Sequence, residues 1–246
     1  IEQQIEQPME ESISHNNNNN NNKHTIHTIH NMYILNLERQ HERWTTITDK
    51  LKEVNNNLAY YQFNGIDASK INPNEMNNYV PINSKRFFMT PEIYAKARSH
   101  HSLWKNIVKE HSTTIDKDDK KNNDTDAKKW FIILEDDVYF HENYKNLIKN
   151  LSIYNTDILY LGYNNFIKNI NYKLSEINSS STYFLKKNNS ENMFFGTYAY
   201  ICNAKFRQYI INLGIDWFLN NNYPLDNGYN IVNFTSNLKF AVVTGE

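Results

Sequence analysis

Three adjacent carboxylates, Glu135-Asp136-Asp137, follow directly on the continuously apolar run Trp130-Phe131-Ile132-Ile133-Leu134. Such a run is the pattern of a strand covered on both faces, so the acidic residues fall at its carboxyl end. Ligands of open α/β sheets bind at that end. Neighbouring carboxylates repel one another, and a fold gains by grouping them when a cation or solvent neutralises them. A hard divalent ion, Mn²⁺ or Mg²⁺, bridging a nucleotide diphosphate is the natural neutraliser. Because side chains alternate along a strand, Glu135 and Asp137 are expected on one face as metal ligands, with Asp136 on the other. The plainer alternative is a solvated acidic turn.

The elements that must position these residues read as an α/β alternation. Met32 to Leu37 is a short β-rich run expected to form the first, central strand, followed by helical spacing at Trp44, Ile47, Leu51 and Val54. A second strand is expected over Leu58 to Phe63, ending at Gly65, which completes a β-α-β start and hence a parallel pair. Thr90 as N-cap, Pro91 in the first position and Glu92 in the first turn open a helix running to His111, with Ile93, Ala97, Leu103, Trp104, Ile107 and Val108 as its apolar positions. Beyond the acidic triplet the pattern predicts a helix from His141 to Leu151 and a strand from Asp157 to Leu161. A polar loop to about Asn192, a strand near Thr197 to Cys202 and a helix ending at Gly214 follow.

Residues 1–30, with the unbroken asparagine run Asn16 to Asn22, are expected to be a disordered tail, leaving 31–246 as one domain. The segment 112–129, dense in Asp, Lys and Asn, reads as a mobile surface insertion. The formal net charge of -1 gives no global basic field for nucleic acid or an anionic membrane. No stretch has the roughly 20 apolar residues of a membrane-spanning helix, and the acidic, Asn-rich N-terminus is unlike a signal peptide. Cys202 is the single cysteine, which excludes an internal disulfide; in its apolar run it reads as a buried, inert thiol. These features lead to the expectation of a soluble protein, with the cytoplasm favoured. The chain ends at Gly245-Glu246, just after the strand-like Leu238 to Val243, which leaves room for a further C-terminal part.

The order of motifs resembles glycosyltransferase family 25, the lipooligosaccharide and procollagen galactosyltransferase group, from Tyr33 to about Asn227. The motifs are Ile34-Leu35-Asn36-Leu37-Glu38-Arg39 with Arg43, Ser99-His100 with Trp104, the apolar strand into Glu135-Asp136-Asp137, Gly196-Thr197-Tyr198-Ala199-Tyr200, and Pro224-Leu225-Asp226. Two segments depart from the family pattern. Its usual Gly-Cys before Ser-His is Ala95-Lys96 here, and the histidine often found inside the Gly-Thr-x-Ala-Tyr segment is Tyr198.

The resemblance implies an inverting enzyme of the glycosyltransferase A type, built on a Rossmann-like nucleotide-binding mixed sheet flanked by helices. It would use Mn²⁺ or Mg²⁺ to move a sugar, a hexose, from a UDP-sugar to a hydroxyl of a glycan or protein acceptor. The donor set it implies is Asn36, Leu37, Arg39, Arg43, Asp67, Ser99, His100 and Asp136, with Asp137 and Glu135 on the metal. Asn36 and Arg39 suit uridine and diphosphate at a strand exit, although Arg39 and Arg43 equally fit an exposed helix face. Asp67 suits a nucleotide contact or a turn, Ser99 and His100 a pocket wall or structural roles, and Trp104 the core more than a ligand platform. Asp226 is the candidate base for the acceptor hydroxyl, with a metal ligand or an N-cap as its other readings. A metal-dependent phosphohydrolase and a non-catalytic domain derived from a transferase are the rival functions.

Overall fold

The computed structural model describes residues 28–54, 59–76, 89–112, 129–138, 140, 156–164, 175–176, 182–184, 195–220, 225, 229, 232 and 236–243. Among these, one mixed eight-stranded sheet is flanked by helices, which is the α/β architecture expected from the alternation. The strands are β1 (Thr28–Asn36), β2 (Tyr60–Asn64), β3 (Lys129–Glu135), β4 (Ile158–Asn164), β5 (Ser175–Glu176), β6 (Thr182–Phe184), β7 (Phe195–Asn203) and β8 (Phe240–Val243), in the order β2-β1-β3-β7-β4-β8-β6-β5. The helices are α1 (His41–Val54), α2 (Pro73–Met76), α3 (Pro91–Ser112), α4 (Ala204–Leu213) and α5 (Ile215–Asn220).

The half that carries the acidic triplet is parallel. β1 lies between β2 and β3 and runs parallel to both, so Asn36, Asn64 and Glu135 end at one edge. β7 is antiparallel to β3, which brings its first residues to that same edge. The continuous apolar run of β3 is explained by its two covers. Phe131 and Ile133 join Tyr33, Leu35, Leu103, Trp104 and Ile107 in a core beneath α3. Trp130, Ile132 and Leu134 join Met32, Ile34, Ile47 and Leu51 beneath α1. Truncating Ile132 or Ile133 to Ala would cost about 2–5 kcal/mol at such fully packed positions.

Local signals fix the helix ends. The Thr90 hydroxyl accepts from Ile93 N at 3.3 Å and caps α3. The Asn203 side chain accepts from Phe206 N at the start of α4, and Gly214, at φ 77, closes that helix with its N–H on Ile210 and Ile211 carbonyls. Trp104 is fully buried, as a core residue, and so is Cys202, whose thiol burial pushes up to about 11. Among the described residues no helix is long and apolar enough to cross a membrane.

Several elements differ from expectation for physical reasons. β1 starts at Thr28 rather than Met32, because its polar first residues pair through the backbone with Lys129 and Trp130. Its register slips between Ile29 and Asn31, and such an irregular start has no side-chain periodicity to read. β5 and β6 lie within the segment read as a polar loop; they are two and three residues long and join the sheet at its outer edge by backbone pairing. α5 follows directly on Gly214, and its Phe218 and Leu219 are buried. The expected helix 141–151, most of the tail, the asparagine run and the interior of the 112–129 segment lie outside the described residues.

Candidate active site

The three carboxylates separate as soon as the strand ends. Glu135 is the last residue of β3, and Asp136 and Asp137 lie in the turn that follows, with Val138 N donating to Glu135 O at 3.4 Å. The strict alternation that put Glu135 and Asp137 together therefore stops at Glu135. Each carboxylate meets a different set of partners.

Glu135 points to α3 and is saturated. Lys96 Nζ donates to Oε2 at 2.9 Å, while His100 Nε2 at 3.1 Å and the Thr197 hydroxyl at 2.6 Å share Oε1. Burial on its own would raise the carboxyl pKa, but the His100 hydrogen bond, the Lys96 charge and Thr197 outweigh it and hold the group at about 2. His100 is 1% exposed, and burial lowers its pKa, so the ring is neutral. With Nε2–H donated to the carboxylate, Nδ1 accepts from Tyr200 Oη at 2.9 Å, and the two rings stack at 5.8 Å. His100 thus braces Glu135 from beneath the sheet edge.

Asp136 points the other way. Its Oδ2 accepts from Asn36 Nδ2 at 2.7 Å and its Oδ1 from Arg43 Nη1 at 3.2 Å. Asn36 is 2% exposed and fully engaged, donating also to Gln40 O at 3.2 Å and accepting from Gln62 Nε2 at 2.7 Å. Gln62, a surface-type residue of β2, had no signal in the sequence. Asp137 differs from both: its side chain is 47% exposed, and its ion pair among the described residues is with Arg43 Nη1 at 3.9 Å. Burial, and then the charges of Glu135 and Asp136, raise its pKa.

The second-strand loop is tied in separately. Asp67 pairs with Arg39 Nε at 2.6 Å and accepts from Ser69 N at 3.0 Å, which holds its carboxyl well below the usual carboxylate range. The Ser99 hydroxyl donates to Ala95 O at 2.7 Å and accepts from Ile66 N at 2.8 Å, fastening this loop to α3. Gly65 sits against the first-strand exit: a Cβ there would lie 3.3 Å from Leu37 Cδ2. Ser99 and Leu37 therefore shape the edge through packing and backbone contacts. Asn36, Leu37, Arg39, Arg43, Asp67, Ser99, His100, Glu135, Asp136 and Asp137 are brought to one edge, while Asp226 lies outside the described residues.

A family model described as glycosyltransferase family 25 (LPS biosynthesis protein) matches residues 29–227. The chain belongs to glycosyltransferase family 25. It is therefore a glycosyltransferase, and the sugar donor and acceptor such an enzyme requires are its partners. The matched span takes in every candidate residue above, Asp226 included. No curated protein sequence matches the chain. Within this family 25 enzyme, Lys96 and Thr197 complete the shell of Glu135; Thr197 was visible as a motif residue and Lys96 as a departure from the pattern, but nothing in one sequence paired them with Glu135.

The residues present fit a metal in a limited way. Among the described residues no group of three or more His, Cys, Asp or Glu side chains is arranged to hold one. Glu135 has both oxygens committed to protein donors, whereas the exposed Asp137 carboxylate is open to a ligand. Hard divalent ions are commonly held by one or two carboxylates together with substrate phosphates and water, and among these three Asp137 is the carboxylate that would take that part.

Proposed function

We propose that this family 25 transferase moves a hexose from a UDP-sugar to a hydroxyl of a glycan or protein, with inversion, in a domain of the glycosyltransferase A type. The observation that carries this reading is Asp137. Alone of the three carboxylates it has no hydrogen bond among the described residues, and it stands exposed where three parallel strands end. Mn²⁺ or Mg²⁺ held by Asp137 and the donor phosphates would supply positive charge to the departing diphosphate.

The chain's own groups then divide the remaining work. Asn36 and Arg43 hold Asp136, and with it the turn that presents Asp137. Arg43 and Arg39, both about half exposed at this strand end, are the cations for the donor phosphates. Asp226 takes the acceptor hydroxyl proton as that oxygen attacks the anomeric carbon from the side opposite the leaving nucleotide. The test is incubation with a panel of nucleotide sugars and Mn²⁺. Release of nucleoside diphosphate, dependent on acceptor, is expected; release of monophosphate instead would identify a phosphohydrolase and overturn the reading.

A further inference from the structure

We propose that Lys96 is a donor-binding residue whose ammonium, seated against Glu135 and the Tyr198 ring, contacts the diphosphate of the nucleotide sugar. This rests on the donor site proposed above. Lys96 and Tyr198 are two positions at which the chain departs from the motifs of its family, and the structure puts them in contact: Nζ lies 5.0 Å from the Tyr198 ring centroid. A lysine stem is long and flexible, so an ammonium seated between a carboxylate at 2.9 Å and an aromatic face is restrained rather than free to swing into solvent.

Its setting is asymmetric. The Lys96 side chain is 35% exposed and Glu135 only 14%, so the pair presents its cation outward and its anion inward. Lys96 reaches the edge from α3, on the Glu135 side of β3, while Arg43 reaches it from α1, on the Asp136 side. Asp137 feels the charge of both cations. It is 3.9 Å from Arg43, and the charge of Lys96 opposes the rise in its pKa. A diphosphate drawn to a divalent ion on Asp137 would be flanked by guanidinium on one side and ammonium on the other. Charge gathering on the leaving phosphate as the sugar departs would meet a cation already in position.

The competing account is that Lys96 merely neutralises Glu135. The two separate in a cycle of Lys96→Met, Glu135→Gln and the double variant, with affinities measured for UDP and for uridine in the presence of Mn²⁺. A contact to diphosphate predicts that Lys96→Met weakens UDP binding about tenfold or more while uridine binding is unchanged. The same loss should recur in the Glu135→Gln background, and Lys96→Arg should restore most of it. Equal losses for UDP and uridine, no loss, or a loss that vanishes once Glu135 is neutral would overturn the assignment while leaving the donor site standing. Failure of the unaltered protein to bind UDP or any other nucleoside diphosphate would overturn both. Thermal unfolding of each variant confirms that the comparison is made between folded proteins.

Discussion

Acidic side chains sit at both ends of the central strands, and the two ends treat them differently. At the end away from the site, Asp157 is one carboxylate with a full set of donors: Asn203 Nδ2 at 3.0 Å, Lys205 Nζ at 3.2 Å and Lys239 N at 2.8 Å. Its partners come from the end of β7, the start of α4 and the approach to β8, so it locks three segments together. At the site edge, three carboxylates share their donors unequally, and one is left over. A carboxylate that serves the fold is matched by donors the fold supplies. A surplus one is left to solvent or to a ligand, which is why the proposed donor site is centred on Asp137 rather than Glu135.

The largest expected effects are those that exchange the two ends. Asp137→Ala should reduce transfer by more than the roughly hundredfold seen for partners that only orient a metal ligand, with unfolding in urea changed by no more than about 0.5 kcal/mol. Asp157→Ala should do the reverse, costing about 2–4 kcal/mol through its orphaned buried donors while sparing activity per folded molecule. Similar profiles for the two variants would erase the distinction. Next in size, Asn36→Ala removes the group that fixes Asp136, and steady-state rates should fall about tenfold to a hundredfold; unchanged rates would mean the Asp136 turn needs no anchor.

Acid stability sharpens the comparison from the buried side. Glu135 is held at about 2 against 4.5 for the free group, so the unfolded chain takes up its proton first. The stability this contributes is complete above 4.5 and is lost as pH falls toward about 2. His100 and His101, both lowered from 6.5 by burial, add a loss that begins below that value, since they stay neutral in the native state while the unfolded chain binds protons. Urea unfolding across this range should show a decline in two stages, and Glu135→Gln should flatten the more acidic one. The smallest effect expected is on stability from Arg43→Ala: its ion pair with Asp136, made by a half-exposed guanidinium, contributes about 0–1 kcal/mol, so urea unfolding should shift by no more than that, and by less at high salt.

How much of this was legible in the sequence follows from where each signal resides. The β3 run and the face of α3 announce themselves because burial on both sides leaves no polar interruption. Even the triplet's position at a strand end is readable from the abrupt change at Leu134 to Glu135. The motif order of the family also brings Asn36, Ser99, His100 and the triplet into one list. It does not say which partner each takes. Gln62 on Asn36, Tyr200 on His100 and Lys96 on Glu135 are contacts across the sheet or onto it, between residues 26, 100 and 39 positions apart. Such contacts are set by strand order and helix docking, which local periodicity does not encode. Alternation along the strand could not place Asp137 relative to Glu135 for a similar reason: it holds only while the strand lasts, and β3 lasts to Glu135.

The most direct test is calorimetric titration of Mn²⁺ and UDP, together and separately, into the unaltered protein, Asp137→Ala and Glu135→Gln. The account predicts Mn²⁺-dependent UDP binding that Asp137→Ala abolishes and Glu135→Gln preserves. Binding that survives loss of Asp137 but fails with loss of the Glu135 charge would contradict it.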